Sequence, residues 1–235
     1  NTTQKTETDI LNDILFIDII ICLYIELIKC YSGIAAYLNL IPDLCNILAI
    51  LILFKSGRVK FAKRFSTISA LLFMAWVTMS FSESLFNFFV GYKRYRYILF
   101  GFLAFYICTH YMTEFYWNRV LKALFYTQYI HTFLVIIQFA VIRTVPDMTN
   151  GEFGYLGHNN SAQGIFCLVM SMIGTEYFLK KAMPIKYCIS MIIMSCLTCA
   201  LAEIKAFFVL FFLGVAIILL LNERDNRTLK RGGKL

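Results

Sequence analysis

Residues 143–164 read RTVPDMTNGEFGYLGHNNSAQG and form the longest polar, glycine-rich interruption in an otherwise almost continuously apolar chain. On each side of this stretch lies an apolar run long enough to cross a bilayer, so its polar side chains are predicted to lie at a membrane–water boundary. The glycines at 151, 154 and 157 allow tight turns and a close approach of the backbone to a ligand. The pattern predicts an outer connection between two spanning helices, with room for a binding site.

The polar side chains of this connection allow two interpretations. Arg143, Asp147 and His158 are candidate site residues, because His158 carries an imidazole that can exchange a proton near neutral pH. The alternative for His158 is a solvated loop residue. Asn159 and Asn160 are candidate substrate ligands, or they cap the following helix with the help of a glutamine three residues after Asn160.

The composition is that of an integral membrane protein. Of the 235 residues, 60% are hydrophobic and 15% are charged, whereas about one-quarter of the residues of a soluble domain are charged. Lys and Arg number 22 against 14 Asp and Glu, which gives a net charge of +8. In a membrane protein this excess marks cytoplasmic loops and contact with anionic lipid. No pattern of interleaved basic and aromatic residues indicates nucleic acid, which is therefore not expected as a partner.

The apolar runs predict an all-α helical bundle with about eight transmembrane helices, within one transmembrane domain that covers residues 1–235. Five cations in residues 55–64 mark a cytoplasmic loop. With the N-terminus inside, sixteen Lys and Arg residues fall on the cytoplasmic side and six on the other, which places both chain ends in the cytoplasm. The predicted spans cover about 14–30, 38 or 44 to 54, 66 to 81 or 89, 97–112, a run after 122 that ends near 142, 162–179, 187–202 and 206–221.

Two further groups of charges are predicted on the outer side. Lys93, Arg94 and Arg96 lie within four residues against the positive-inside preference, which is more readily tolerated if they bind an anion such as a diphosphate, whose shape fits the planar guanidinium groups. The alternative is an anchor to lipid headgroups that includes the neighbouring tyrosines. Glu203 and Lys205 occupy the tight turn between the last two spans, where they can neutralise each other or bind a ligand.

Ionisable residues inside the predicted spans are expected to face other helices, because lipid does not solvate them. Asp18 and Glu26 are eight residues apart and share one helix face. Glu26 can also pair with Lys29, three residues later. Hydrogen bonding between helices is the expected role of a larger group: Gln128, Gln138, His110 and His131.

The cysteines are interpreted as small packing residues, because most of the eight lie inside apolar runs. Cys196 and Cys199 have the spacing of a redox motif, but they lack the soluble strand–helix surroundings of such motifs. The sequence contains no HExxH motif, Walker loop or nucleophile elbow. We therefore expect no metal.

Three segments together resemble the O-antigen ligase and O-antigen or exopolysaccharide polymerase superfamily. They are the span end Gln138-Phe-Ala-Val-Ile-Arg143, the run from Asp147 to Gly164, and Ala202-Glu203-Ile-Lys205-Ala-Phe-Phe, which follows two spans joined as a hairpin. Members are polytopic glycosyltransferases of the bacterial inner membrane. The resemblance covers about residues 10–222 and implies that the chain is the N-terminal part of a longer protein.

The resemblance implies transfer of a glycan from an undecaprenyl-diphosphate carrier to an acceptor hydroxyl at the outer membrane face, with no metal or nucleotide cofactor. Ligases of the superfamily carry a Ser-x-Arg-like element at the turn, whose Arg engages the diphosphate. Here Lys205 is the cation and Glu203 replaces the hydroxyl residue, which favours a polymerase over a lipid A ligase. The large outer loop of the family follows later in the chain, so residues 1–235 alone are expected to be inactive.

These observations lead to one preferred prediction and two alternatives. In the preferred prediction the chain is part of a polysaccharide polymerase- or ligase-like glycosyltransferase, and His158 or Glu203 activates the acceptor hydroxyl. Its partners are the carrier-linked oligosaccharide, membrane lipids and other polysaccharide-assembly membrane proteins. The first alternative is a transporter or flippase for a polyprenyl-linked or amphipathic anion, with Asp18, Glu26 and His110 as a charge relay. The second is a membrane scaffold subunit. The predicted substrate-binding residues are Lys93, Arg94, Arg96, Arg143, Asp147, Asn159, Asn160 and Lys205.

Overall fold

The structure is a computed structural model that describes residues 6–32, 38, 40–56, 59–80, 85–143, 149–153 and 160–232. These residues are helical or lie in short turns and connections, with no strand among them, which confirms the all-α prediction for this part of the chain. Each of the eight predicted spans overlaps one α-helix. The helices are α1 (Glu7–Ser32), α2 (Leu40–Lys55), α3 (Val59–Ser80), α4 (Leu85–His110), α5 (Glu114–Ile137), α6 (Asn160–Leu179), α7 (Ile185–Leu201) and α8 (Lys205–Gly232).

Three helical segments of the described chain are long and apolar enough to cross a membrane: Glu114–Ile142, Ser161–Leu179 and Lys205–Glu223. Helix α7 and the second half of α4 are apolar but shorter. Helix α1 is long, yet Asp18, Glu26 and Lys29 interrupt its apolar run. The membrane character of the chain is thus supported, whereas the count of eight spans and the cytoplasmic position of both ends stay predictions.

The chain divides into two compact units, each with its own interior. Unit 1 comprises Asn1–Cys22 and Ala36–Val120, and unit 2 comprises Leu23–Ala35 and Leu121–Leu235. Helices α1 and α5 each contribute residues to both units. The prediction of one transmembrane domain over residues 1–235 is not tested by this division.

The core of unit 1 is apolar and rich in aromatic side chains. Phe61 is fully buried and lies with its ring centroid 5.4 Å from that of Phe65 and 4.7 Å from that of Tyr106. One amide joins this core to a helix end, because Nδ2 of Asn12 donates to the Tyr111 carbonyl at 2.9 Å. The aliphatic side chains of the same core include Leu11, Leu53, Leu103 and Ile107.

The helices of unit 2 pack closely through small and polar residues. A Cβ at Gly174 of α6 would lie 2.9 Å from the Cys188 carbonyl oxygen of α7, so glycine allows these two backbones to approach. Helix α5 contacts α7 through Gln128, whose Nε2 donates to the Met191 carbonyl and to Oγ of Ser195, both at 2.8 Å. The predicted interhelical role of Gln128 is therefore confirmed.

Candidate functional site

Residues 149–153, the buried segment, lie deep inside unit 2. Thr149, Asn150 and Glu152 are fully buried, and the last three residues form a single 3-10 turn. The segment contacts His131, which precedes the helix end at Ile142 by eleven residues, or roughly 16 Å along the axis. Irregular backbone at such a depth in a membrane is tolerated only within protein or along a polar cavity. The buried segment meets this condition, because unit 2 encloses its residues.

Gly151 holds the buried segment against α5. Gln138 satisfies both of its backbone groups, because Oε1 accepts from the Gly151 N–H at 2.8 Å and Nε2 donates to the Gly151 carbonyl at 3.3 Å. Gly151 has a φ of 57°, which favours glycine, and a Cβ there would overlap the imidazole of His131. Gln138 begins a π turn that ends at Ile142, and such turns are frequent at functional sites.

A carboxylate–imidazole pair joins the buried segment to α5. Nδ1 of His131 hydrogen-bonds Oε2 of Glu152, and both side chains are fully buried. The rings of Phe153 and Phe166 meet the imidazole edge to face, with centroids 5.5 and 5.6 Å away. Within the described chain, Nε2 of His131 and Oε1 of Glu152 are buried and have no hydrogen-bond partner. The hydrogen-bonding capacity of these two atoms is therefore unused in the described part of unit 2.

Helix α6 lines the same region with one face. Gln163 is fully buried, and neither of its amide atoms has a partner among the described residues. Phe166 and Cys167 follow three and four residues later, which places them on the same helix face as Gln163. The Cys167 thiol lies near Cys199 of α7 and near Glu152. No group of three His, Cys, Asp or Glu residues suited to a metal occurs in the part of the chain that the structure describes.

The turn between α7 and α8 lies at the same end of unit 2 as the start of α6. A Cβ at Gly164 would lie 3.2 Å from Cγ2 of Ile204, so the turn packs on the first helical turns of α6. Glu203, with a φ of 53°, and Lys205 flank Ile204 and are exposed. Arg143 is also exposed and ends the π turn in a left-handed conformation with a φ of 56°.

The other predicted site residues are placed less completely. Lys93, Arg94 and Arg96 lie on helix α4, which begins at Leu85, so this helix starts well before the fourth span predicted from about residue 97. The sequence there has no proline, and the helical hydrogen bonds continue through it. The side chains of these cations lie outside the described part of the structure. Asp147, His158 and Asn159 lie wholly outside the described residues. Asn160 is the first residue of α6, but its side chain is also outside the described part of the structure.

The residues of the predicted charge relay have local partners. Asp18 accepts from Nδ2 of Asn46 at 3.1 Å within unit 1. Glu26 forms an ion pair of 2.5 Å with Lys29, which confirms that expectation. His110 stacks on the ring of Tyr106, at 4.3 Å between centroids. Its contacts in the described part of the chain are with residues of its own helix, and not with another helix as predicted.

Glu152 is the site residue that sequence reasoning missed. His131 was expected to bond another helix, but its partner is this carboxylate, which a glycine-rich connection carries back into unit 2. The sequence signal that could have predicted this site is Glu152 between Gly151 and Phe153. Glycine allows the backbone to turn inward and approach a helix closely, and the aromatic side chain can be buried in an apolar interior.

Comparisons with protein-family models, with curated proteins and with solved structures found no match to this chain. The fold and the site therefore define a class and not a family. The class is a helical membrane protein with a buried carboxylate–imidazole pair beneath a cluster of connections that carries exposed charges.

Proposed function

We propose that this chain belongs to a polysaccharide polymerase- or ligase-like glycosyltransferase of the bacterial inner membrane. The enzyme transfers a glycan from an undecaprenyl-diphosphate carrier to an acceptor hydroxyl at the outer face. In this proposal the chain crosses the membrane eight times with both ends in the cytoplasm, so that the connections after α5 and α7 face outward.

One observation carries this proposal. The three segments on which the family resemblance rests contact one another within unit 2, although the third is distant from the first two in the sequence. Gln138 binds Gly151, the ring of Phe153 packs 5.8 Å from that of Phe166 on α6, and α6 in turn contacts the turn at Ile204. Segments that share a site are expected to meet in this way, whereas segments that resemble a family by chance are not.

The charges at this end of unit 2 suit a diphosphate leaving group. Arg143 and Lys205 are exposed and can stabilise the negative charge that develops as the carrier departs. In the proposal the polar residues at 147, 159 and 160 contact the glycan. Glu203 or His158 then acts on the acceptor hydroxyl.

The proposal is tested with the full-length protein in cells that lack it, by measuring the length distribution of the surface polysaccharide. We expect Lys205→Ala and Arg94→Ala to shorten or abolish the polymer at equal membrane abundance. The matched control is Lys186→Ala, which removes an exposed cation from the opposite end of α7. Normal chain lengths in both variants would contradict the proposal.

The alternative is a transporter or flippase, and one observation favours it. Ionisable residues inside a membrane domain often mark proton or ion pathways, and His131 and Glu152 are such residues. This alternative predicts that Asp18→Asn and Glu26→Gln abolish movement of a labelled lipid-linked anion, while Lys205→Ala leaves it unchanged. Defects confined to the outer-face variants would exclude it.

A further inference from the structure

The interior of unit 2 contains buried polar atoms that the protein itself does not satisfy. Among the described residues they include Nε2 of His131, Oε1 of Glu152, and both amide atoms of Gln163. All three side chains are fully buried, and a buried polar atom without a hydrogen bond is costly and uncommon. Their concentration on the buried segment and on the facing surfaces of α5 and α6 indicates a site built for a polar ligand.

The hydrogen-bond donors and acceptors among these atoms restrict the chemistry of that ligand. We assign the proton of the shared hydrogen bond to Nδ1 of His131, so that Glu152 accepts and Nε2 is left as a hydrogen-bond acceptor. Oε1 of Glu152 is also an acceptor, whereas Gln163 offers one acceptor and one donor. A metal cation uses acceptors only, and a hydroxyl group uses both kinds of atom. The set therefore favours a hydroxyl over a cation.

We propose that His131, Glu152 and Gln163 form the acid–base site for the acceptor hydroxyl, in place of His158 or Glu203. This inference rests on the proposed glycosyl transfer. The hydroxyl oxygen forms a bond to the anomeric carbon, and the bond from that carbon to the carrier diphosphate breaks. The hydroxyl proton passes to Nε2 of His131, and the diphosphate leaves with the electron pair of the broken bond.

The charge balance of the pair supports this role. A neutral imidazole beside an ionised carboxylate carries one net negative charge, which apolar surroundings disfavour. When Nε2 accepts a proton, the pair becomes a neutral ion pair with its hydrogen bond intact. Proton transfer from the hydroxyl thus moves the net negative charge from the buried pair to the departing diphosphate. Glu152 acts as the positioning residue that fixes the imidazole orientation.

The kinetic test uses the full-length protein in proteoliposomes with carrier-linked oligosaccharide. We expect His131→Gln and Glu152→Gln to lower kcat about 100-fold, with KM changed less than about twofold. The matched control is Glu176→Gln on α6, whose carboxylate pairs with Lys180 and is partly exposed. Rates within about twofold of wild type for His131→Gln would overturn the proposal.

The source of the hydroxyl is read from the same assay without an acceptor. Hydrolysis that depends on His131 would identify water as the hydroxyl, whereas transfer that depends on His131 only with acceptor present would identify a saccharide hydroxyl. Both results support the site. If the wild type forms no glycosidic bond at all, the proposed function fails, and the next measurement still decides whether the site exists.

That measurement is the NMR spectrum of the imidazole nitrogens of the full-length protein, with His131 assigned by its loss in His131→Gln. We expect a protonated Nδ1 and an unprotonated Nε2, and a change in the Nε2 signal when Glu152→Gln removes the carboxylate. A spectrum with Nε2 protonated and Nδ1 free would overturn the inference whatever the kinetics show, because the base would then be occupied.

Discussion

The core of unit 1 and the interior of unit 2 are held together by different kinds of side chain. In unit 1, Phe61 sits among aromatic and aliphatic neighbours, and its contacts are apolar. In unit 2, a carboxylate, an imidazole and several amides occupy positions that apolar residues would fill at lower cost. Unit 1 is compact around a mainly apolar core with few buried polar groups, such as Asn12 and Asn46, so we infer that the polar interior of unit 2 serves a purpose other than packing. This contrast is the physical basis for placing the function in unit 2.

The largest stability effect is expected from breaking the buried pair on one side. Glu152→Leu leaves the His131 imidazole without its carboxylate in apolar surroundings, and we expect a loss of about 4 kcal/mol in the free energy of unfolding. The double variant with His131→Leu is expected to recover most of that loss. Denaturant titration in mixed micelles measures both, and a double variant as unstable as Glu152→Leu would show that the pair does contribute compactness.

A somewhat smaller effect is expected from the apolar core of unit 1. Phe61→Ala removes a fully buried ring and leaves a cavity, so we expect a loss of about 3 kcal/mol. The control is Phe105→Ala on α4, where the ring is 66% exposed and little packing is lost. Equal losses for the two variants in the same titration would mean that the aromatic cluster around Phe61 does not stabilise unit 1.

The two units are also expected to differ in the effect of an added methyl group at a glycine. Gly151→Ala forces a Cβ into a left-handed conformation against His131, and we expect a loss of about 2 kcal/mol. Gly101→Ala lies in α4 with nothing within 4 Å of the added methyl, so a gain of up to about 1 kcal/mol is expected from helix propensity. Thermal unfolding measures both changes, and a destabilising Gly101→Ala together with a neutral Gly151→Ala would reverse the comparison.

The smallest effect is expected at an exposed ion pair of unit 1. Nη1 of Arg119 lies 3.3 Å from Oδ1 of Asp13, with the Arg119 side chain 47% exposed. We expect Asp13→Asn to change the free energy of unfolding by less than about 1 kcal/mol, because water competes for both charges. A larger loss in the denaturant titration would indicate that unit 1 also depends on charge pairing.

The helices and the contacts between near neighbours could be predicted from the amino-acid sequence. Runs of apolar residues set the number and approximate bounds of α1 to α8, because a helix that meets lipid must be apolar over most of its length. The start of α6 near Asn160 followed from its polar cap region. The Glu26–Lys29 pair followed from spacing, since residues three apart share a helix face. Each of these features depends on neighbours within a few positions.

The position of the candidate site in unit 2 depends on contacts between residues that are far apart in the sequence. Glu152 follows His131 by 21 residues, and no periodic pattern relates the two, because an irregular connection separates them. The amide of Gln138 and the backbone of Gly151 meet for the same reason. A glycine-rich segment can run through solvent or return into a helical bundle. It can be buried only if the interior offers hydrogen-bond partners for its polar groups. Those partners come from other helices, and folding alone brings them together.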